Sequence, residues 1–259
     1  MKPLNLIAAA AFAAAALLAV PASAQSSLAS ILDAGKIRVG TTGDFNPMTV
    51  RDIASSGYKG HEIDVATELA KDLGVELEMV PTDWKTMIAG VQTDKFDIVM
   101  SGTSMNVGRA KVVGFTDPTI YVTTVPMTLT DNMETYKTWD DVNKPGVKVA
   151  VILGTIFEEE ARAAFPDATI SAVEAPATGY QEVLSGRADV TITSNVDAAS
   201  IMEQFPAMGT FATDEVRNPK PHGYIVQQGN QSLINFMNTW IALKKSSGFY
   251  DGLAAKWNL

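Results

Sequence analysis

The chain has 259 residues, 46% hydrophobic and 19% charged, which is typical of a globular protein with one large domain or two modest ones. Its formal net charge of −9 argues against a nucleic-acid-binding surface, which requires clustered basic residues. The absence of Cys excludes disulfides, thiolate catalysis and Cys-ligated zinc. Because there are only two His, a His-rich metal site is disfavoured, and we expect neither a metal nor a cofactor.

The N-terminus has the pattern of a secretory signal peptide. Lys2 precedes the apolar run LIAAAAFAAAALLAV, and Pro21 leads into the small residues of a cleavage site that ends at Ala24. A membrane anchor is the alternative, but the run is short for a span and Pro21 interrupts it. We predict a signal peptide over residues 1–24, cleaved after Ala24, and a mature periplasmic chain that is not embedded in the membrane.

The first hundred residues alternate between helix and strand. Residues 61–74 carry apolar side chains at helical spacing and end on Gly74, which suits a helix C-terminus. Residues 75–80 alternate in the manner of a half-buried strand. The same reasoning predicts helices over 27–36 and 84–95, and strands over 37–42 and 96–102. This alternation is typical of an α/β fold.

A second unit of similar size repeats the alternation. Its predicted elements are strands over 147–155, 169–174 and 189–195, and helices over 157–165 and 178–188. The β-rich segment 121–130 enters this unit, and a strand over 222–228 leaves it before a helical C-terminus. Two connections of this kind make a hinge.

The predicted fold is therefore α/β, with two lobes whose mixed, mostly parallel sheets are joined by a two-strand hinge. Lobe 1 is expected to comprise residues 25–122 and 224–259, and lobe 2 residues 123–223.

Candidate ligand contacts follow the strands, because open parallel sheets bind ligands beyond the carboxyl ends of their strands. These positions are small or polar residues, two aromatic residues, one isoleucine and one arginine: Phe45, Trp84, Ser101, Gly102, Thr103, Ser104, Arg109, Gly154, Thr155, Ile156, Thr193, Ser194 and Asn195. Backbone N–H groups, hydroxyls and a guanidinium together suit a small carboxylate. Structural interpretations remain open: Arg109 as a solvated charge, Trp84 as a core residue, and residues 193–195 as a helix cap.

The chain resembles the periplasmic amino-acid-binding proteins of polar amino acid ABC importers over nearly its whole mature length. The stretches that carry the resemblance are VGTTGDFNPM, GHEIDVATELAKDLG, PTDWKTMIAGVQTDKFDIVMSGTSMNVGR, FTDPTIY, ILGT and SGRADV. The resemblance implies the type II periplasmic binding protein fold. It also implies that Phe45 and Trp84 pack against the ligand. Gly102 and Ser104 would contact its head group, and Arg109 its carboxylate, helped by N–H groups near Thr155.

One departure from the family concerns Ser194. Family members usually carry an aspartate there, which pairs with the α-ammonium of the ligand. Because a neutral hydroxyl cannot supply that charge-assisted hydrogen bond, we expect standard α-amino acids to bind poorly.

A second departure concerns catalysis. The stretches VPTDW, FDIVMSG and TTGD are similar to the cyclohexadienyl dehydratase branch of the family. That resemblance implies a glutamate as proton donor on the turn after Gly-Thr. Phe157 occupies the ungapped position, and the next residue, Glu158, is rotated by about 100° on a helix. A local shift of one residue would restore Glu158 as the acid.

The leading hypothesis is an extracytoplasmic solute-binding protein that captures a small carboxylate or amino-acid-like ligand between two lobes. Its partner would be an inner-membrane ABC permease, bound transiently. The alternative is a cyclohexadienyl dehydratase-like lyase on the same scaffold, with Glu158 as the catalytic residue. A third hypothesis is a ligand-occupied partner of a membrane receptor.

Overall fold

The computed structural model describes residues 27–52 and 57–259 of the chain. The predicted signal peptide and its cleavage site lie outside the described residues. No helix within the described ranges has both the length and the apolarity needed to cross a membrane.

The first part of the chain and its C-terminus build one α/β unit. Its strands are β1 (Lys36–Thr41), β2 (Asp44–Phe45), β3 (Thr49–Arg51), β4 (Tyr58–Lys59), β5 (Glu76–Pro81), β6 (Ile98–Val99), β7 (Val113–Phe115) and, from the C-terminal part, β14 (Ile225–Gln227). The main sheet has the order β5-β1-β6-β14-β7, and β2, β3 and β4 form a small separate sheet. Its helices are α1 (Leu28–Ala34), α2 (His61–Leu73), α3 (Met87–Gln92), α4 (Val107–Ala110), α8 (Gln231–Ser246) and α9 (Phe249–Trp257).

The middle of the chain builds the second unit. Its strands are β8 (Ile120–Leu129), β9 (Lys148–Ile152), β10 (Thr169–Val173), β11 (Val190–Ser194), β12 (Met208–Thr210) and β13 (Arg217–His222). They form a sheet of order β10-β9-β11-β8-β12, with β13 also paired to β8. Helices α5 (Ile156–Ala164), α6 (Gly179–Leu184) and α7 (Asn195–Gln204) accompany it, with 3-10 turns at Thr130–Asn132 and Trp139–Asp141.

The two connections between the lobes run side by side. Thr116 donates its N–H to the carbonyl of Tyr224 at 3.0 Å, and Thr119 donates to that of His222 at 2.9 Å. Membership of the two sheets places the crossings at residues 116–119 and 223–224, close to the predicted lobe boundaries. The hydrogen bonds make the connection a two-stranded ribbon.

The α/β class and the two lobes agree with the prediction, but the predicted majority of parallel pairings is not found. Of the nine pairings in the two larger sheets of the described chain, four are parallel and five antiparallel. The reason is that strands entering and leaving each lobe, such as β8 and β14, run against the β-α-β strands.

Local differences from the prediction have identifiable causes. The strand predicted over 96–102 comprises only Ile98 and Val99, and the chain turns at Gly102, whose φ is 62°. The helical C-terminus is interrupted at Gly248, whose φ is 77°. The polar loop before α2 contains the short strands β2 to β4.

Candidate functional site

A cleft between the two lobes lies beyond the carboxyl ends of β1, β6, β9 and β11. Both lobes line it, through Asp44, Phe45, Trp84, Gly102, Ser104, Arg109, Ile152, Thr155, Ile156, Phe157, Thr178, Gly179, Tyr180, Thr191, Ile192, Thr193, Asp197, Ile201 and His222.

Arg109 is the buried cation of this cleft, with a relative exposure of 6%. It lies on the short helix α4, where the side chain of Asn106 accepts its backbone N–H at 2.7 Å. Its Nη1 donates to the carbonyl of Ser104 at 2.9 Å, and its Nη2 to that of Gly154, in the other lobe, at 3.2 Å. Burial lowers the pKa of Arg109, and the charge of Glu159 opposes that shift. A guanidinium nevertheless stays charged, so the cleft contains a fixed positive charge.

Two aromatic rings form one wall. The ring centroids of Phe45 and Trp84 are 6.2 Å apart at an interplanar angle of 60°. The indole Nε1 donates to both carboxylate oxygens of Asp44, at 2.9 and 3.1 Å, which fixes the plane of Trp84. Gly102 packs under Phe45, and a Cβ there would lie 2.8 Å from Cε1 of that ring.

Ser104 and His222 meet at the floor of the cleft, next to the lobe crossing. The Ser104 Oγ and His222 Nε2 atoms are 3.1 Å apart, and both residues are buried. Burial lowers the pKa of His222 to about 3, with the charges of Lys220 and Arg109 acting in the same direction. The imidazole is therefore neutral near pH 7 and can accept or donate one hydrogen bond at each nitrogen.

The N-terminus of α5 opens onto the cleft through Thr155, Ile156 and Phe157. Thr155 occupies the N-cap position, but its hydroxyl donates to the carbonyl of Ile152 at 2.7 Å and does not cap the helix. The first N–H groups of a helix have no partner inside the helix, so this end of α5 offers donors to an anion.

The polar strand end 193–195 serves mainly as a helix cap. Ser194 is fully buried, and its Oγ accepts the N–H of Asp197 at 3.0 Å at the start of α7. Asn195 is exposed and accepts the N–H of Thr123 at 2.9 Å. Thr193 does line the cleft, where its hydroxyl donates to Asp197 Oδ2 at 2.7 Å.

Asp197 brings a carboxyl group into the cleft. Burial raises its pKa to about 7; the hydroxyl of Thr193 opposes the shift, and the charge of Asp44 adds to it. Position 194 itself carries no carboxylate, but a carboxyl group does reach this region of the cleft. The acid stands three residues later, one turn into the following helix.

Glu158 is absent from the cleft lining. Its Oε2 accepts the N–H of Gly154 at 2.9 Å, and its Oε1 accepts Arg162 Nε and Nη2 at 3.1 and 2.9 Å. Phe157 lies in the cleft lining instead. Glu158 therefore accepts hydrogen bonds from the turn at Gly154 and from Arg162 on its own helix.

Contacts between the lobes flank the cleft. Lys85 Nζ and Glu174 Oε1 form an ion pair at 2.9 Å, and Asn106 Nδ2 lies 3.5 Å from Glu159 Oε2. A Cβ on Gly154 would lie 2.8 Å from the backbone N and Cα of Lys85. The lobes are thus in direct backbone contact, as in a closed conformation.

Comparison with known proteins assigns the family. The model for bacterial extracellular solute-binding proteins, family 3, matches residues 37–259. The chain belongs to this family.

Individual relatives include both an enzyme and amino-acid-binding proteins. The cyclohexadienyl dehydratase of Pseudomonas aeruginosa is 30% identical over 233 residues, covering 90% of this chain and 86% of that protein. The L-cystine-binding protein TcyJ of Escherichia coli is 28% identical over 231 residues, covering 89% and 85%.

Two solved structures of amino-acid-binding proteins also superpose on this chain. The ancestral amino acid-binding protein AncCDT-1, described as a precursor of cyclohexadienyl dehydratase, superposes with a TM-score of 0.83 at 40% identity, covering 89% of this chain and 98% of that one. A mutant of ArgBP from T. maritima superposes with a TM-score of 0.82 at 28% identity, with the same coverage. The type II fold of the periplasmic binding proteins is confirmed.

The predicted ligand contacts of this solute-binding protein fall into two groups, those that line the cleft and those that do not. Those that line the cleft are Phe45, Trp84, Gly102, Ser104, Arg109, Thr155, Ile156 and Thr193. Of the remainder, Gly154 borders the outer lobe contact, Thr103 accepts the N–H of Gly223 at 3.1 Å, and Ser101 accepts the N–H of Thr42 at 3.0 Å. Ser194 caps α7, and Asn195 accepts a hydrogen bond from the backbone of Thr123 in β8, as described above.

Sequence reasoning missed both carboxyl groups of the cleft, and its predicted ligand contacts do not include His222. Asp44 directly precedes Phe45, and Asp197 follows Ser194 by one helical turn, so both were adjacent to positions already singled out. The described residues contain no group of three or more His, Asp or Glu arranged to hold a metal.

Proposed function

We propose that this chain is an extracytoplasmic receptor that binds an amino-acid-like carboxylate between its lobes and delivers it to an inner-membrane ABC permease. The signal-peptide pattern, with cleavage after Ala24, supports a periplasmic location. Membership of an extracellular solute-binding family supports the same assignment.

The observation that carries the proposal is the burial of Arg109 and the nature of its hydrogen-bond partners. It is buried in the cleft and bonded only to neutral carbonyl groups, and no described carboxylate lies within ion-pair distance of it. A buried guanidinium without a directly bonded counter-charge is unfavourable. A ligand carboxylate would supply that charge, bonded to the free guanidinium donors and to the N-terminus of α5.

The test is calorimetric titration and thermal shift of the mature chain with amino acids, keto acids and small carboxylates. A ligand that binds the folded state raises the melting temperature in proportion to its concentration relative to Kd. Arg109→Ala should abolish the shift, and Arg109→Lys, which retains charge but not the planar fork, should weaken it. Arg187→Ala removes an exposed arginine of lobe 2 that does not line the cleft, and should leave binding unchanged. Full binding by Arg109→Ala contradicts the proposal.

A second candidate function is that of a dehydratase-like lyase, favoured by the carboxyl group of Asp197. A general acid works best when its pKa lies near the working pH, and that of Asp197 is about 7. On a cyclohexadienyl acid, this group would protonate the leaving hydroxyl as the C–O bond breaks. Loss of carbon dioxide would leave its bonding electron pair to complete the aromatic ring.

Turnover of prephenate separates the two functions. Lyase activity predicts formation of phenylpyruvate that Asp197→Asn abolishes and Glu158→Gln preserves, because Glu158 does not line the cleft. Absence of phenylpyruvate at substrate concentrations that stabilise the protein rejects the lyase and leaves the receptor function.

A further inference from the structure

Each lobe contributes one carboxyl group to the cleft lining, Asp44 from β2 of lobe 1 and Asp197 from the first turn of α7 in lobe 2. The side chain of Asp44 accepts the indole N–H of Trp84 at 2.9 and 3.1 Å. That of Asp197 accepts the hydroxyl of Thr193 at 2.7 Å. Neither carboxyl group belongs to an ion pair of the described chain. Their hydrogen bonds therefore come from donors without positive charge.

Lobe 2 compensates another enclosed carboxylate with a cation. Glu160 Oε1 pairs with Lys220 Nζ at 2.7 Å, and its Oε2 accepts the hydroxyl of Thr124 at 2.6 Å. Asp197 has no equivalent, because the described strands β8, β11 and β12, against which α7 packs, contain no Asp, Glu, Lys, Arg or His. Their one titratable side chain is the exposed Tyr121, and the start of α7 supplies only a partial positive charge.

The other titratable groups of the cleft lining form no ion pair with either carboxylate. Arg109 is the one cation of that lining in the described chain, and its guanidinium donates to carbonyl groups instead. His222 is neutral near pH 7, because burial lowers its pKa to about 3. Tyr180 presents a phenol, which cannot supply positive charge.

The surroundings of Asp44 in lobe 1 are also short of positive charge. Burial is the largest influence on its pKa and raises it, and the negative charge of Asp83 acts in the same direction. Arg51, on the neighbouring strand β3, lies over the ring of Tyr58 at 6.0 Å from the centroid. Asp44 is therefore a source of negative potential opposite Asp197.

Closure of the lobes changes the environment of both carboxyl groups. Burial raises the pKa of Asp197 to about 7, and the charge of Asp44 in the other lobe adds to the shift. Separation of the lobes returns each group to water and takes the other charge away from it. The closed conformation therefore binds a proton more tightly than the open one, and by linkage a proton stabilises the closed conformation.

We propose that closure of the lobes takes up a proton at Asp197, so that mildly acidic conditions favour the closed conformation even without a solute. The stabilisation is complete below about pH 4 and is lost as the pH rises towards 7. The inference goes beyond the receptor function, because it requires neither a particular solute nor Arg109 as its anchor.

Energy transfer between two dyes measures closure in the mature chain, refolded from urea to remove any bound solute. Because the chain contains no Cys, dyes attach only at the introduced Ala255→Cys in lobe 1 and Ala164→Cys in lobe 2. Both positions are exposed and lie outside the cleft lining. Single-molecule histograms then give the ratio of closed to open molecules. We expect this ratio to rise roughly 10- to 100-fold from pH 8 to pH 5, since one proton contributes up to tenfold for each pH unit.

Amide variants assign the proton to its site. Asp197→Asn is neutral at every pH and still offers an acceptor to Thr193, so it should remove the pH dependence. Asp44→Asn should reduce the dependence, because it removes the charge that raises the pKa of Asp197. Asp140→Asn removes an exposed carboxylate of lobe 2 and should leave the dependence intact. The melting temperature verifies that each variant is folded.

The inference is overturned if the ratio is the same at pH 5 and pH 8, or if Asp197→Asn keeps the wild-type response. Should Asp197→Asn fail to fold, an undiminished response in Asp44→Asn has the same consequence. A response of equal size to a tenfold increase in NaCl at constant pH also overturns it, because general charge screening then replaces the proton. The receptor function is unaffected by these outcomes and fails separately, if solute binding survives in Arg109→Ala.

Discussion

The Nη2 atom of Arg109 donates a hydrogen bond to the carbonyl oxygen of Gly154 at 3.2 Å, and this bond joins the two lobes at the rim of the cleft. The guanidinium that we assign to the ligand carboxylate therefore also contacts the opposite lobe. Binding and closure share one side chain, so changes on either side of this contact should alter both.

Gly154→Ala should prevent full closure. The new Cβ would lie 2.8 Å from the backbone N and Cα of Lys85, and backbone cannot move aside as a flexible side chain can. We expect affinity to fall by roughly tenfold or more, as an overpacked contact costs about 1–3 kcal/mol. Titration measures the affinity, and small-angle scattering with ligand should show a larger radius of gyration.

The control for Gly154→Ala is Gly186→Ala in the same lobe. Gly186 also has a positive φ, 72°, but an added Cβ there meets nothing within 4 Å. It reproduces the backbone strain without the clash, so equal losses of affinity in the two variants would contradict a specific closure contact.

Trp84→Phe should weaken binding by loosening Asp44. The indole N–H donates to both oxygens of that carboxylate, and Phe keeps the ring but removes the donor. A hydrogen bond to a charged group is worth about 1.5–3 kcal/mol, so the Kd of the ligand identified by titration should rise roughly tenfold.

Trp257→Phe is a matched control for that variant. Its Nε1 donates to Asp64 Oδ2 at 2.7 Å, a Trp–Asp pair outside the cleft lining. The prediction for Trp84 is rejected if both variants bind with the same affinity.

Asp197→Asn should change how stability depends on pH. The folded-state pKa of about 7 is above the ordinary value of 3.8, so the folded state binds the proton more tightly. The stabilisation from this group is complete below about pH 4 and is lost as pH rises towards 7, by at most about 4 kcal/mol. The difference in unfolding free energy between wild type and Asp197→Asn, measured by urea denaturation from pH 4 to 8, should show this slope.

His222 acts in the opposite direction over a similar range. Its folded-state pKa of about 3 is below the ordinary value of 6.5, so its contribution is lost as pH falls between those values. Because His222 is present in both proteins, the comparison with Asp197→Asn isolates the carboxyl group. A pH-independent difference between the two proteins would show that the pKa of Asp197 is not raised.

Lys220→Met should destabilise lobe 2. Lys220 is 6% exposed, pairs with Glu160 at 2.7 Å and donates to the hydroxyl of Thr124. Removing one member of a buried ion pair leaves the other charge uncompensated, at a cost of roughly 3–5 kcal/mol. The double variant Lys220→Met/Glu160→Gln should recover part of the loss in urea denaturation, and no recovery would argue against coupling of the pair.

The regular elements were predictable where periodicity was strong. Residues 61–73 form a helix because their apolar face packs on the sheet and Gly74 ends it with a left-handed cap. The strands β2 to β4 were not predictable from the sequence, because elements of two or three residues carry no periodic signal and depend on tertiary pairing.

The cleft was predictable where it is built from strand ends. Arg109, Thr155 and Thr193 follow strands that the fold brings to one edge, so the strand-end rule places them together. Asp197 and Tyr180 reach the cleft from helices, where the face that points inward depends on packing. The prediction considered Ser194 alone, although its hydroxyl caps helix α7, which carries Asp197.

The ion pair of Lys85 with Glu174 links the lobes at the outer edge of the cleft, where both side chains are more than half exposed, at 52% and 68%. Exposed pairs are weakened by salt, whereas contacts enclosed within the cleft are screened much less. If this pair contributes to holding the cleft shut, the residence time of a captured solute should shorten as external ionic strength rises. The envelope compartment would then influence how quickly cargo is handed over, with no change in the residues that recognise it.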